Sequence, residues 1–99
     1  MTVLIFIDGD NDAAAYPEEN LISMTCAADT TLLLHFKSSV GDDGGADLIT
    51  LTITTDKEKT VMESISSQLG RTGSATIADD VASQYVSSYI TACAITLDT

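Results

Sequence analysis

The chain is 99 residues long, 44% hydrophobic, and carries a formal charge of −11 from 15 carboxylates set against four bases. That length fits one domain, residues 1–99, and leaves no room for two. The bases Lys37, Lys57, Lys59 and Arg71 are scattered. They cannot neutralise a row of phosphates, which argues against nucleic acid and against anionic membrane surfaces as partners.

Val3-Leu4-Ile5-Phe6-Ile7 makes residues 2–7 the first strand, bounded by Asp8-Gly9. The run lacks a basic flank and is too short to span a bilayer, so neither a signal peptide nor a membrane anchor is expected. An acidic loop, Asp8-Gly9-Asp10-Asn11-Asp12, follows. Pro17 removes a ladder donor and is expected to precede a strand. Residues 20–26 alternate, with Ile22, Met24 and Cys26 on one face. Residues 31–37 answer with Leu32, Leu34 and Phe36, so the two read as a hairpin. The Gly- and Asp-rich stretch 38–45 reads as a loop. Residues 46–54 alternate Ile49, Leu51 and Ile53 against Thr50, Thr52 and Thr54.

One helix is expected over 56–69. Thr55 and Glu58 have capping-box spacing. Val61, Met62, Ile65 and Leu69 form an apolar stripe, and Gly70 suits a left-handed C-terminal cap. Residues 75–79 suggest a short strand, 79–85 either a helical turn or a loop, and 90–97 a last strand. The fold class predicted is α+β: a small, mostly antiparallel sheet of about five to six strands with one helix packed on one face. The expected core is Ile22, Met24, Leu32, Leu34, Phe36, Ile49, Leu51, Ile53, Met62, Ile65 and Leu69.

Asp8, Asp10, Asp12 and Glu19 fall at positions 1, 3, 5 and 12 of a calcium loop, and alternate carboxylates in a tight loop can converge on one cation. Ala13 replaces the usual glycine and Pro17 interrupts the loop, so an acidic surface loop is the competing reading. Other cofactors are not expected. Cys26 and Cys93 lie in alternating apolar segments and read as reduced, buried thiols. His35, the only histidine, shares a strand face with Lys37 and reads as a half-exposed strand residue. No serine sits in a nucleophile elbow and neither cysteine has a nearby partner. An enzyme is therefore not expected.

Several segments resemble small virion structural proteins of marine tailed bacteriophages, including cyanophages. They are Tyr16-Pro17-Glu18-Glu19-Asn20-Leu21-Ile22-Ser23-Met24, then Asp29-Thr30-Thr31-Leu32-Leu33-Leu34-His35-Phe36, Ile77-Ala78-Asp79-Asp80-Val81, and Ser88-Tyr89-Ile90-Thr91-Ala92-Cys93-Ala94-Ile95-Thr96-Leu97. The resemblance covers most of residues 16–97. It implies a capsid decoration (cement) protein or another minor virion protein. Such a protein would be assembled in the host cytoplasm, be present in many copies or as a homo-oligomer, and bind the major capsid protein or other virion subunits. It transfers no catalytic or binding residue. The alternatives are a small cytoplasmic interaction or regulatory domain and a calcium-dependent binding module. The strand 2–7 and the Thr face of 50–54 are the candidate contacts, since both combine extended backbone with modest polarity.

Overall fold

A computed structural model describes residues 2–9, 12–37 and 46–96. The predicted loop 38–45 lies outside them. Eight strands are described: β1 (Thr2–Gly9), β2 (Asp12–Pro17), β3 (Leu21–Ala28), β4 (Thr31–Lys37), β5 (Ala46–Ile53), β6 (Gly73–Asp79), β7 (Gln84–Tyr85) and β8 (Ile90–Thr96). One helix, α1 (Glu58–Ser66), joins β5 to β6. The mixed α+β composition is as expected, but the single sheet of five to six strands is not. The strands divide into two sheets of four, ordered β2-β1-β6-β7 and β3-β4-β5-β8.

The second sheet is antiparallel throughout. Its alternation is what the sequence led one to expect: Leu32, Leu34 and Phe36 of β4 and Ile49, Leu51 and Ile53 of β5 are all buried. In the first sheet β1 pairs antiparallel with β2 and parallel with β6. Leu4 and Phe6 of β1, Tyr16 of β2 and Ile77 and Ala78 of β6 face the second sheet's residues across a shared core. Ile77 and Ala78 are consecutive and both buried because the β1–β6 register shifts between Ile5 and Phe6, placing an extra residue on β6.

Four of the expected core residues, Ile22, Met24, Met62 and Leu69, are not fully buried, and Cys26, expected as a buried thiol, is not buried either. Ile22 is 62% exposed. The β3–β4 register steps from Leu21↔Phe36 to Ser23↔His35, so Ile22 is the unpaired residue of a bulge and Leu21 packs inward instead. Cys26 is exposed, near the end of the same edge strand. Met24, Met62 and Leu69 are only partly buried against the core.

The helix is shorter than the 56–69 expected, and the capping box does not form. Lys57 takes the N-cap position with no side-chain cap bond, and Asp56 adopts φ 63°. Asp tolerates that left-handed conformation better than most residues. The turn continues past Ser66 through Gln68 N–H to Ile65 O and Leu69 N–H to Ser66 O, and Gly70 closes it at φ 79°. Val61 and Ile65 enter the shared core. At the helix start, Lys57 Nζ sits 5.1 Å from the Tyr89 ring centroid, beside the second sheet. At its far end, Arg71 N–H donates to Thr2 Oγ1 (3.1 Å), which lies 2.7 Å from Gln68 O. The helix thus closes one end of the sandwich and does not lie on one face of a single sheet.

One buried hydrogen bond joins the two sheets, and a second polar contact ties the helix end to β1. Tyr16 OH of β2 donates to Asp47 Oδ2 of β5 at 2.6 Å, with both residues buried. Around this bond, Tyr16 stacks on Phe36 (4.3 Å, 12°) and Phe6 meets Phe36 edge-on (5.6 Å). Burial, then the Asp47 bond and charge, raise the Tyr16 phenol well above its ordinary value. At the helix end, the Glu18 carboxylate accepts from Thr2 N–H (2.7 Å) and Gly70 N–H (2.9 Å). These two bonds lower its pKa.

Phe36→Ala is expected to cost about 3–5 kcal/mol by denaturant unfolding, from lost burial and the cavity left behind. Tyr16→Phe is expected to cost about 1–3 kcal/mol, because one buried hydrogen bond disappears while the ring remains. Ile22→Ala, at an exposed bulge, stays within about 0.5 kcal/mol. A second measurement addresses Glu18. Its folded pKa is depressed, so its contribution is present above the unfolded value of about 4.3 and is lost as pH falls below it. Glu18→Gln therefore lowers Tm at pH 7, and the gap to wild type closes on acidification.

Candidate functional site

A strand covered on both faces reads as a continuous apolar run, and one covered on a single face alternates. β1 reads Val3-Leu4-Ile5-Phe6-Ile7 without a polar residue. Only Leu4 and Phe6 are buried within this chain; Val3, at 36% exposure, Ile5 and Ile7 point to the outer side. The β1–β2 register sets Pro17, Ala15 and Ala13 opposite them. Ala13 and Ala15 are themselves exposed. The result is an uncharged apolar strip with a shallow hollow of about 250 Å³, lined by Ile5, Ile7, Ala13, Ala14 and Ala15. The sequence signal for it was the unbroken run itself, which calls for a cover that the described residues do not provide.

The acidic groups gather elsewhere. Asp8 and Asp12 share a side-chain hydrogen bond at the tip of the β1–β2 hairpin. Partial burial, then Asp12 and Asp80, raise the Asp8 pKa. Asp10 lies outside the described residues. Glu19 sits in a single 3-10 turn, Glu18–Asn20, beyond Pro17, which pairs with Val3 at the opposite end of β1. From Asp8 to Val3 is roughly 17 Å of strand. The described part of the stretch expected as one calcium loop is the end of β1, then β2 and the 3-10 turn, and β2 separates Glu19 from Asp8 and Asp12. Among the described residues no three His, Cys, Asp or Glu side chains are grouped to hold a metal ion.

What Asp8 and Asp80 do is visible at β8, an edge strand of the second sheet. Cys93 N–H donates to Asp80 Oδ2 (3.2 Å), and Ile95 N–H donates to Asp8. Tyr85 OH lies 2.7 Å from Asp80 Oδ1 and 3.2 Å from Thr91 O. Side chains of the first sheet therefore occupy the outward backbone groups of β8 at alternate residues. The Asp80 bond, burial and nearby carboxylates push the Tyr85 phenol up to about 12. Burial, then Asp80, Asp8 and Asp12, push the Cys93 thiol up to about 12, and its Sγ lies 3.3 Å from Ile7 O.

Among the other described polar groups, Glu58 Oε2 in the first turn of α1 is buried without a hydrogen-bond partner. His35 is half-buried with Nε2 3.2 Å from Thr25 Oγ1. A shallow groove beside β7 and β8 is lined by Ser83, Gln84, Tyr85, Ser87, Ser88, Ile90 and Thr91. These are hydroxyl, amide and apolar side chains, with no base among them. No helix among the described residues is long and apolar enough to cross a membrane.

Of the two contact candidates named from sequence, both change character. β1 and β5 are interior strands, each hydrogen-bonded on both sides, so neither can accept another strand. β1 offers only its outer face. Thr52 and Thr54 are exposed on the outer side of the second sheet, and Thr50 is half-buried. No protein-family model, curated protein or solved structure matches the chain.

The two cysteines, both free, differ in access: Cys26 is exposed and Cys93 buried. One thiol per chain is expected to react quickly with a thiol reagent at pH 8 in the native protein, and two in denaturant. Cys26→Ser then removes the fast phase alone. Two fast thiols in the folded protein would contradict the burial of Cys93 by the first sheet.

Proposed function

We propose that the chain is a non-enzymatic virion structural protein, a capsid decoration subunit or other minor virion component, seated on neighbouring capsid subunits through the outer face of β1 and β2. The observation that carries this is the outer strip of exposed Val3, Ala13 and Ala15 and half-buried Ile5 and Ile7, left uncovered by the described residues of a chain of charge −11. A free soluble domain with so few bases has no internal need for an uncharged face of this kind, whereas a subunit that docks on a shell does. The resemblance to small virion proteins of marine tailed phages supports the identity of the shell. The acidic remainder of the surface keeps free copies apart and steers them toward a basic receptor.

The expected behaviour follows from what salt screens. Apolar burial is not screened, so particles carrying this protein retain it in 1 M salt, where the Debye length is about 3 Å. Val3→Lys weakens attachment by roughly tenfold or more, since burying a valine contributes about 1.5 kcal/mol. Sedimentation of capsids with labelled protein measures both. If the protein binds no particle or capsid subunit at any ionic strength, the virion reading fails and a stand-alone interaction domain takes its place.

A further inference from the structure

Edge strands expose unpaired backbone groups, and proteins usually guard them with charge, proline, shortness or a cover. Four strands lie at sheet edges here: β2, β7, β3 and β8. β7 has two residues. β2 begins with Asp12 and ends with Pro17. β8 has Asp8, Asp80 and Tyr85 over its outer side. β3 has none of these four guards, although its register with β4 is broken by bulges at Ile22 and between Cys26 and Ala28. It spans eight residues, Leu21–Ala28, without a charged side chain or a proline, and it is exposed along most of its length. Among the described residues no strand pairs with its outer side. Its bulge presents Ile22, the most exposed large apolar residue described.

Charge decides what fits there. Exposed Glu19 precedes β3 and exposed Asp29 follows it. A second copy paired antiparallel would bring Glu19 of one chain beside Asp29 of the other at both ends. A parallel copy would set Glu19 on Glu19 and Asp29 on Asp29. Both arrangements juxtapose like charges on subunits that already carry −11 each. A strand with an uncharged middle and a basic residue at each end meets complementary charge at both ends. We infer that β3 is an acceptor edge for an extended segment of another protein, about eight residues long, uncharged in its centre and flanked by lysine or arginine. It adds as a fifth strand to the second sheet through backbone hydrogen bonds. This surface is separate from the outer face of β1, and its test does not require a particle.

The probes are two eight-residue Thr/Val peptides, one with lysine at both ends and one with glutamate at both ends, titrated into the full chain and followed by amide NMR. The lysine peptide is expected to shift and protect amides within residues 21–28, and the glutamate peptide to bind at least roughly tenfold more weakly. The double substitution Glu19→Gln with Asp29→Asn abolishes that preference. Ile22→Lys, at an exposed bulge, leaves the fold intact by circular dichroism and weakens the lysine peptide. Equal binding of both peptides, perturbation centred on other strands, or no binding up to about 1 mM overturns the inference. So does self-association of the unliganded chain through β3, which would make a second copy the occupant.

Discussion

The hydrogen bond from Tyr16 to Asp47 sets the relation between the two sheets. Two apolar sheet faces can slide over each other at small cost, because hydrophobic burial has no direction. A buried carboxylate cannot slide, because leaving its donor exposes it to a large desolvation penalty. Asp47 lies directly opposite Phe36 in the β4–β5 ladder, and Tyr16 stacks on that same ring while donating to that same carboxylate. Stacking sets the plane of the Tyr16 ring and the bond sets where along it the hydroxyl must lie. With β2 anchored over β4 and β5, its partner β1 is positioned as well, and the outer face of β1 is turned away from the core.

The carboxylates follow the same logic at the other contacts. Asp8, Asp80 and Glu18 all accept backbone N–H groups from distant parts of the chain. Much of what reads as an acidic surface in the sequence is therefore structural, fastening β8 to the first sheet and the helix end to β1. This also sets the described members of the calcium-loop spacing, Asp8 and Asp12 on one side and Glu19 on the other, at opposite ends of β1. Asp8, near the hairpin tip, bonds β8, and the Glu18–Asn20 turn serves the opposite end of the sandwich.

Period-two alternation made β4 and β5 legible, and the apolar stripe located the helix, because those signals are local. The bulge at Ile22 was not legible: alternation assumes unbroken register, and one extra residue reverses the inside of a strand. The capping box failed because Asp56 turned left-handed and set the N-cap at Lys57 instead of Thr55. The first sheet was hidden for another reason. A run such as Val3 to Ile7 has no polar phase to show which face is buried, and the pairing of β1 with β6 joins segments with no local signature of partnership. One clue did lie in plain view. Asp47 is in phase with Ile49, Leu51 and Ile53, and an aspartate on a core face calls for a buried donor. The exposed edge at β3 was written in its composition, eight residues without charge in a highly acidic chain, but its place at the rim of a sheet came only from the topology.

The parallel pairing of β1 with β6 also orders events in time. The second sheet's strands β3, β4 and β5 meet in sequence through short-range contacts, which close at modest entropic cost. β1 is central to the first sheet yet needs a partner from the far part of the chain; bonded residues Thr2 and Arg71 stand 69 positions apart. Closing so long a loop comes late unless earlier structure has already brought its ends together. The β3–β5 meander and the helix perform that service, carrying the chain from one sheet across to the other. Until they do, the most apolar strand of the molecule has no parallel partner, and the newly made chain is at its most adhesive during that interval.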